Sequence, residues 1–246
     1  MTEDNLHTKV DLENGSPAFA KPVLYAGAVE KAQISIYNED CLQALKAMAD
    51  KQFDLAIVDP PYGIGMDSTH FKTKSSNAKP NDYGKKDWDN AIPNKEYFNE
   101  LLRVSRHQIV WGGNYFVENL TNSSCWVVWD KDNGDSIHAD CELAWTSFKT
   151  GVKKVKWLWH GMRQQNMKNK EKRIHPTQKP VALYRWLLYE FAKEGDKILD
   201  THLGSGSIAI ACWDMGYDLT AYEVDKEYYD NACKRLETHK AQLTLW

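Results

Sequence analysis

Short apolar runs alternate along this chain with stretches whose apolar residues recur every three or four positions, which predicts strands and helices in turn. Ile34 to Tyr37 reads as a strand and residues 41–49 as a helix on Leu42, Leu45 and Met48. Asp54 to Val58 is a buried strand, and Glu96 to Arg106 is a helix on Phe98, Leu101, Leu102 and Val104. His107 to Trp111 is a further strand, stopped by Gly112-Gly113-Asn114. Trp126 to Trp129 and Leu143 to Phe148 are strands, and Val181 to Ala192 is a helix on Leu183, Leu187, Leu188 and Phe191. Towards the end the alternation tightens into strand 197–200, helix 208–215 closed by Gly216, strand 218–222 and a helix over 226–240.

Such an order predicts an α/β fold, doubly wound, with a largely parallel sheet and helices on both faces. A chain of 246 residues suits one domain of this kind, taken as 31–246 after a loose leader, 1–30, that lacks periodicity. Two stretches stand apart. Residues 63–94 are rich in Ser, Asn, Lys, Gly and Asp, and a polar loop of that length inside a domain is usually functional, often a mobile cover over a site. Residues 150–174 form a second insertion, basic and interleaved with Trp157, Trp159 and His160.

Hydrophobic content of 42% with ten tryptophans supports a substantial core. The five cysteines are scattered and form no C-x-x-C, which disfavours both a disulfide framework and a zinc site, so no metal is expected. With no membrane-length apolar window and no apolar signal segment, a reducing cytoplasm is the expected location. A net charge of −3 does not advertise a nucleic-acid partner, but its distribution does. Residues 151–180 hold Lys153, Lys154, Lys156, Arg163, Lys168, Lys170, Lys172, Arg173 and Lys179 against Glu171 alone, a net +8. Lys72, Lys74, Lys79, Lys85 and Lys86 form a second run opposed only by Asp82. Each run is either a solvated charged loop or a contact to a phosphate backbone; their position on both sides of the candidate site favours the contact.

The candidate chemistry lies where two of the predicted strands end. After 54–58 comes Asp59-Pro60-Pro61-Tyr62. Asp59 can accept hydrogen bonds from an exocyclic amine, Pro60 offers a carbonyl and no N–H, and Tyr62 presents a ring for stacking. The plain alternative is a turn. After 197–200 comes Thr201-His202-Leu203-Gly204-Ser205-Gly206-Ser207, where glycines let the backbone approach a ligand and the following helix start offers free N–H groups. Glu223 ends the next strand, nineteen positions after Gly204, where an acid can take both hydroxyls of a ribose. Together these features predict an adenosine-bearing cofactor. No G-x-x-x-x-G-K-[ST] loop supports nucleotide hydrolysis, and the absent third glycine of G-x-G-x-x-G weakens a dinucleotide oxidoreductase. If strands 54–58 and 197–200 are neighbours, the two loops face one crevice.

Asp59-Pro60-Pro61-Tyr62 resembles the catalytic tetrapeptide of S-adenosylmethionine-dependent DNA amino-methyltransferases, which act on adenine N6 or cytosine N4. Its position ahead of the glycine turn resembles the permuted β arrangement of that family. Gly112-Gly113-Asn114-Tyr115-Phe116, Trp129-Asp130-Lys131, Glu142-Leu143-Ala144-Trp145-Thr146 and His175-Pro176-Thr177-Gln178-Lys179-Pro180 resemble further family segments, so the likeness runs from about Ile34 to Leu236. The resemblance implies a seven-stranded Rossmann-like sheet, circularly permuted, with 63–94 facing DNA and 150–174 as a short target-recognition region. It implies that Asp59 and the Pro60 carbonyl grip the target amine, that Pro61 shapes the turn, and that Tyr62 stacks on the extruded base. Glu223 would hold the cofactor ribose, while Asp200, Gly204, Ser205, Gly206 and Ser207 would line its methionine part. Asp40 is either an acid on the cofactor adenine or the N-cap of its helix, or both. Thr177 and Lys179 would reach the cofactor carboxylate, unless Lys179 belongs to the basic surface. Thr201 and His202 depart from the Pro-aromatic pair usual there, which bears on packing beneath the cofactor, and His202 is expected neutral.

The resemblance thus implies S-adenosyl-L-methionine as cofactor, double-stranded DNA as partner, and a bacterial or phage-encoded enzyme of restriction-modification type, with a homodimer or a cognate restriction endonuclease as further partners. Lys72, Lys74, Lys85, Lys86, Lys153, Lys154, Lys156, Arg163, Lys168, Lys170 and Arg173 are the expected DNA contacts. Asp at position 59 resembles adenine-N6 enzymes, whereas cytosine-N4 enzymes usually carry Ser. Competing readings are cytosine-N4 methylation, methylation of RNA or of protein glutamine, and a non-catalytic DNA- or cofactor-binding relative.

Overall fold

The computed structural model describes residues 32–65, 86, 88–134, 139–160 and 163–243. In chain order these form β1 (Ile34–Tyr37), α1 (Cys41–Ala47), β2 (Phe53–Val58), α2 (Lys95–Val104), β3 (Ser105–Trp111), β4 (Trp126–Asp130), β5 (Cys141–Thr146), β6 (Lys153–Lys156), β7 (Trp159–His160), β8 (Arg163–Gln164), α3 (Val181–Phe191), β9 (Lys197–Asp200), α4 (Ser207–Met215), β10 (Asp218–Tyr222) and α5 (Lys226–Leu243). The helix starts follow local chemistry. Asp40 caps α1 by accepting the Leu42 N–H at 2.7 Å, and Asn94 caps α2 by accepting that of Tyr97 at 3.0 Å. No described helix is long and apolar enough to cross a membrane.

Eight strands make the main sheet, in the order β1-β10-β9-β2-β3-β5-β4-β6. The pairs from β1 through β3 are parallel, β5 runs antiparallel to both β3 and β4, and β6 returns parallel to β4. The expected α/β sheet is therefore present with one strand more than the seven anticipated. The addition, β6, lies in the basic 150–174 stretch, whose remaining regular structure is the β7–β8 hairpin. Its pattern Lys-Lys-Val-Lys buries only Val155, so the hydrophobic signal of a strand is a single residue.

Strand β2 is buried on both faces, as a central parallel strand must be. Leu55 and Ile57 join a core with Leu183 and Leu187 of α3, Ile208 of α4 and Leu236 of α5. Ala56 and Val58, on the opposite face, and Phe53 at the strand start join a second core with Leu45 of α1 and Phe98 and Leu101 of α2. Helices thus cover both faces, and the strand carboxyl ends are left to the loops.

Candidate active site

Strands β2 and β9 are parallel neighbours, with Leu55 opposite Ile198 and Ala56 opposite Leu199. The strand order reverses here: from β9 the chain proceeds outward to β10, and from β2 the opposite way to β3. Residues 59–62 and 200–207 therefore leave the sheet side by side, at the place where open α/β sheets bind ligands. Two loops about 140 residues apart in sequence share one crevice, as their pattern predicts.

Both oxygens of Asp59 are engaged. The Tyr62 hydroxyl donates to Oδ1 at 2.7 Å, and the Lys179 ammonium donates to Oδ2 at 2.5 Å. Lys179 Nζ also lies 3.1 Å from Glu142 Oε2 and 5.2 Å from the centre of the Trp111 ring, and Lys131 forms an ion pair with Glu142 Oε1. The cluster is two carboxylates and two ammonium groups, neutral in sum. Burial pushes the Asp59 carboxyl up and Lys179 pulls it part of the way back. Burial would drive the Lys179 proton off, but Asp59 and Glu142 outweigh it, so the ammonium is retained. This placement corrects the sequence expectation for Lys179. Its side chain is 3% exposed, which excludes the basic surface, and its ammonium is ion-paired with Asp59 and Glu142.

The Tyr62 ring is fixed from outside the tetrapeptide. Tyr115 stacks on it with centroids 5.0 Å apart and planes 17° apart, and Phe116 meets it edge-on at 6.0 Å. Gly112 passes so close that a Cβ there would fall 2.3 Å from Tyr62 Cε1, and its φ of +69° is one that side chains resist. Replacing Gly112 by alanine is expected to displace the Tyr62 ring and to cost about 1–3 kcal/mol of stability, read as a lower denaturant midpoint. An unchanged midpoint would mean that the loop yields without strain.

On the β9 side, Glu223 is held by two backbone N–H groups, Gly204 to Oε2 at 2.8 Å and Asp225 to Oε1 at 2.9 Å, with its remaining lone pairs open to a ligand. Asp200 is 2% exposed and accepts the His202 N–H at 3.0 Å; among the described residues it forms no ion pair. Burial pushes its carboxyl up to about 8. A buried carboxylate of this kind, beside a glycine turn and an acid suited to hydroxyls, fits a nucleoside ligand that brings a positive charge. Gly206, at φ +72°, opens α4 with its Cα facing Ala232, where a Cβ would meet that of Ala232 at 3.0 Å.

Several of the residues expected at the cofactor also tie the loops together. Ser207 Oγ donates to the Lys179 carbonyl at 2.7 Å and lies 3.1 Å from Ser205 Oγ, and Arg235 donates to both the Ser205 carbonyl and Ser207 Oγ. Thr177 is turned to His175 Nδ1. Asp40 serves as the helix cap. The departure at Thr201 and His202 is filled by Tyr97 of α2, whose hydroxyl lies 2.7 Å from Thr201 Oγ1 and whose ring meets His202 edge-on at 5.3 Å. Burial lowers the His202 pKa to about 4, so the ring is neutral at pH 7, as expected.

The basic residues are more spoken for than their sequence suggests. Lys153 pairs with Glu190, Lys154 with Asp130 and Lys156 with Asp132 along the β6 edge. Arg173 lies over the Trp159 ring at 4.7 Å, while Arg163, Lys168 and Lys170 are exposed. Lys86 is bound to Asp225 and Glu227, both at 2.9 Å, beside the Glu223 loop. Lys72, Lys74 and Lys85 lie outside the described residues. Glu171, the one acid of the basic stretch, accepts from Arg235 at 2.7 Å and from the Val181 N–H, tying that stretch to α3 and α5.

Tyr97, Lys131 and the part played by Glu142 were not singled out from sequence. Glu142 and Lys131 stand inside family-like segments, but nothing in their spacing reveals that they meet Lys179.

A family model described as DNA methylase matches residues 129–234. The Type II methyltransferase M.HpaI of Haemophilus parainfluenzae is 26% identical over 81% of this chain and 73% of its own. The Type II methyltransferase M2.DpnII of Streptococcus pneumoniae is 24% identical over 84% of this chain and 91% of its own. Among solved structures, the M1.HpyAVI–SAM complex covers 83% of this chain and 100% of its own, at a TM-score of 0.52 and 21% identity. The cytosine-N4-specific PvuII DNA methyltransferase covers 86% of this chain and 91% of its own, at a TM-score of 0.55 and 13% identity. At those identities the structures speak for the shared fold.

Proposed function

We propose that the chain is an S-adenosylmethionine-dependent DNA methylase acting on N4 or N6 amines, a reading its similarity to such enzymes supports, and that it methylates N6 of an adenine flipped out of double-stranded DNA. The observation that carries this reading is the placing of Asp59, Tyr62 and Lys179 beside Asp200 and Glu223 at the ends of the three adjacent strands β2, β9 and β10. The choice of adenine rests on Asp59 as first residue of the tetrapeptide.

S-adenosylmethionine, when bound, supplies an electrophilic methyl group; the protein's own residues position and polarise. Glu223, already aligned by two N–H groups, would hold the ribose hydroxyls, and Asp200 would offer its carboxylate to the cationic end. An aromatic amine is a poor nucleophile because its lone pair is delocalised into the ring. Asp59 and the Pro60 carbonyl accept its two N–H groups, favour a tetrahedral nitrogen and stabilise the charge that grows there. Tyr62 offsets part of the stacking lost when the base leaves the helix. The Tyr115 ring stacked on Tyr62, 45% exposed, moves aside wherever the base takes that same face.

The test of the reading is product analysis. Duplex DNA incubated with the purified chain and S-adenosylmethionine, then digested to nucleosides, should contain N6-methyladenine by mass spectrometry. N4-methylcytosine alone would move the reading to the cytosine enzymes, and no methylated base would favour a binding relative.

Asp200 makes cofactor binding depend on pH. Burial pushes its carboxyl up to about 8, and a cation beside it favours the ionised form. Binding at about pH 7 is therefore expected to release a proton, and affinity should rise with pH until about 8. Calorimetry in buffers of differing ionisation enthalpy measures the proton directly; zero release and a flat pH profile would remove Asp200 from the cofactor's cationic end.

A further inference from the structure

Glu142 plays no part in the mechanism above, yet its carboxylate is built into the site. One oxygen, Oε1, is held by Lys131. The other, Oε2, is buried and ion-paired with Lys179 Nζ 3.1 Å away, but the ammonium is not aligned on it as a well-formed hydrogen bond. The ammonium is aimed elsewhere, at Asp59 Oδ2 and at the Tyr62 hydroxyl 3.3 Å away. A buried carboxylate oxygen gains most from a fully aligned donor, and this one holds its ammonium only in part. Here a donor lies within reach and needs only to reorient.

We propose that Glu142 is a positioning residue whose Oε2 receives the Lys179 ammonium when the exocyclic amine of the target base takes up Asp59. The inference rests on the reading of Asp59 as the group that binds that amine. With Tyr62 on Oδ1 and Lys179 on Oδ2, Asp59 meets an incoming amine with both oxygens already in use. During transfer the amine nitrogen becomes positive, and an ammonium on the same carboxylate opposes that charge. Shifting Lys179 towards Glu142 frees Oδ2 and moves the cation off the carboxylate that must stabilise the nitrogen. Lys179 remains ion-paired in both positions, so it is never left buried and alone. Lys131 keeps the Glu142 carboxylate oriented and ionised: burial pushes its carboxyl up, but Lys179 and Lys131 bring it down to about 2.

Two variants separate this role from simple charge balance. Glu142→Gln keeps the shape but removes the counter-charge, so Lys179 should stay on Asp59. Under single turnover, methyl transfer is expected to fall about ten- to hundredfold, the scale of one charge-assisted hydrogen bond, with S-adenosylmethionine affinity unchanged. Glu142→Gln combined with Lys131→Gln restores neutrality to the cluster. It should recover the melting temperature lost by the single variant while transfer stays slow. Transfer by Glu142→Gln within about twofold of the wild type, or transfer restored together with stability in the double variant, would overturn the proposal. The underlying reading has its own control: were Asp59→Ala as active as the wild type, the site itself would be misassigned and the inference would fall with it.

Discussion

Asp59→Ala is expected to lower single-turnover methyl transfer on the order of 10²–10³-fold, the loss seen when one preorganised polar group is removed from the place where charge develops. Cofactor affinity should change far less than the rate, because Asp200 and Glu223 are held in place by their own backbone donors, and losing the Asp59 charge only eases the raised Asp200 carboxyl. The fold should survive, since the freed Lys179 ammonium still has Glu142 3.1 Å away. Rapid-quench transfer of labelled methyl groups, paired with calorimetric titration of S-adenosylmethionine, separates the two effects. A rate within about threefold of the wild type would show that Asp59 only shapes the turn.

Lys179→Met is expected to be the most damaging change to stability. It leaves Asp59 and Glu142 buried with Lys131 as the only cation of the cluster, and breaking a buried pair from one side costs about 3–5 kcal/mol. The loss has a pH signature. Asp59 is already raised from 3.8 by burial, with Lys179 restraining the rise, so without Lys179 it rises further. A carboxyl whose folded pKa exceeds its unfolded value binds its proton more tightly when folded. Its contribution is therefore intact at low pH and is lost as pH climbs from the unfolded towards the folded value. Melting curves should show the deficit against wild type widening as pH climbs above the ordinary carboxylate range of about 4. A constant deficit would mean that Lys179 acts through packing alone. Methyl transfer should fall wherever the further-raised Asp59 takes up a proton, because a protonated carboxyl accepts less well from an amine.

The fold was readable wherever an apolar block is bounded by turn chemistry. β1, β9 and β10 coincide with their sequence assignments, and β2 begins one residue earlier. The helix 96–106 was drawn too long because α2 passes into β3 at Ser105 with no Gly or Pro between them to mark the change. β6 escaped because three of its four residues are lysines. The two halves of the site were legible for the same reason as the strands they end: acid, prolines and glycines follow directly on apolar runs. The partners that fix those halves were not. Lys179 reaches Asp59 across 120 residues of sequence, through a loop anchored by the Ser207 hydroxyl on the Lys179 carbonyl. No periodicity encodes such a tie, and a lysine next to eight other basic residues reads as surface charge. Tyr97 was equally hidden, since a tyrosine on an amphipathic helix looks like core until its hydroxyl is seen on Thr201.

The most direct measurement is a crystal structure of the chain with duplex DNA and an unreactive analogue of S-adenosylmethionine. It should show the ribose of the analogue at Glu223, its cationic end at Asp200, and the exocyclic nitrogen of an extruded adenine about 3 Å from Asp59 and the Pro60 carbonyl. An analogue bound away from the 200–207 loop, or a base extruded into a different part of the molecule, would contradict the single shared crevice.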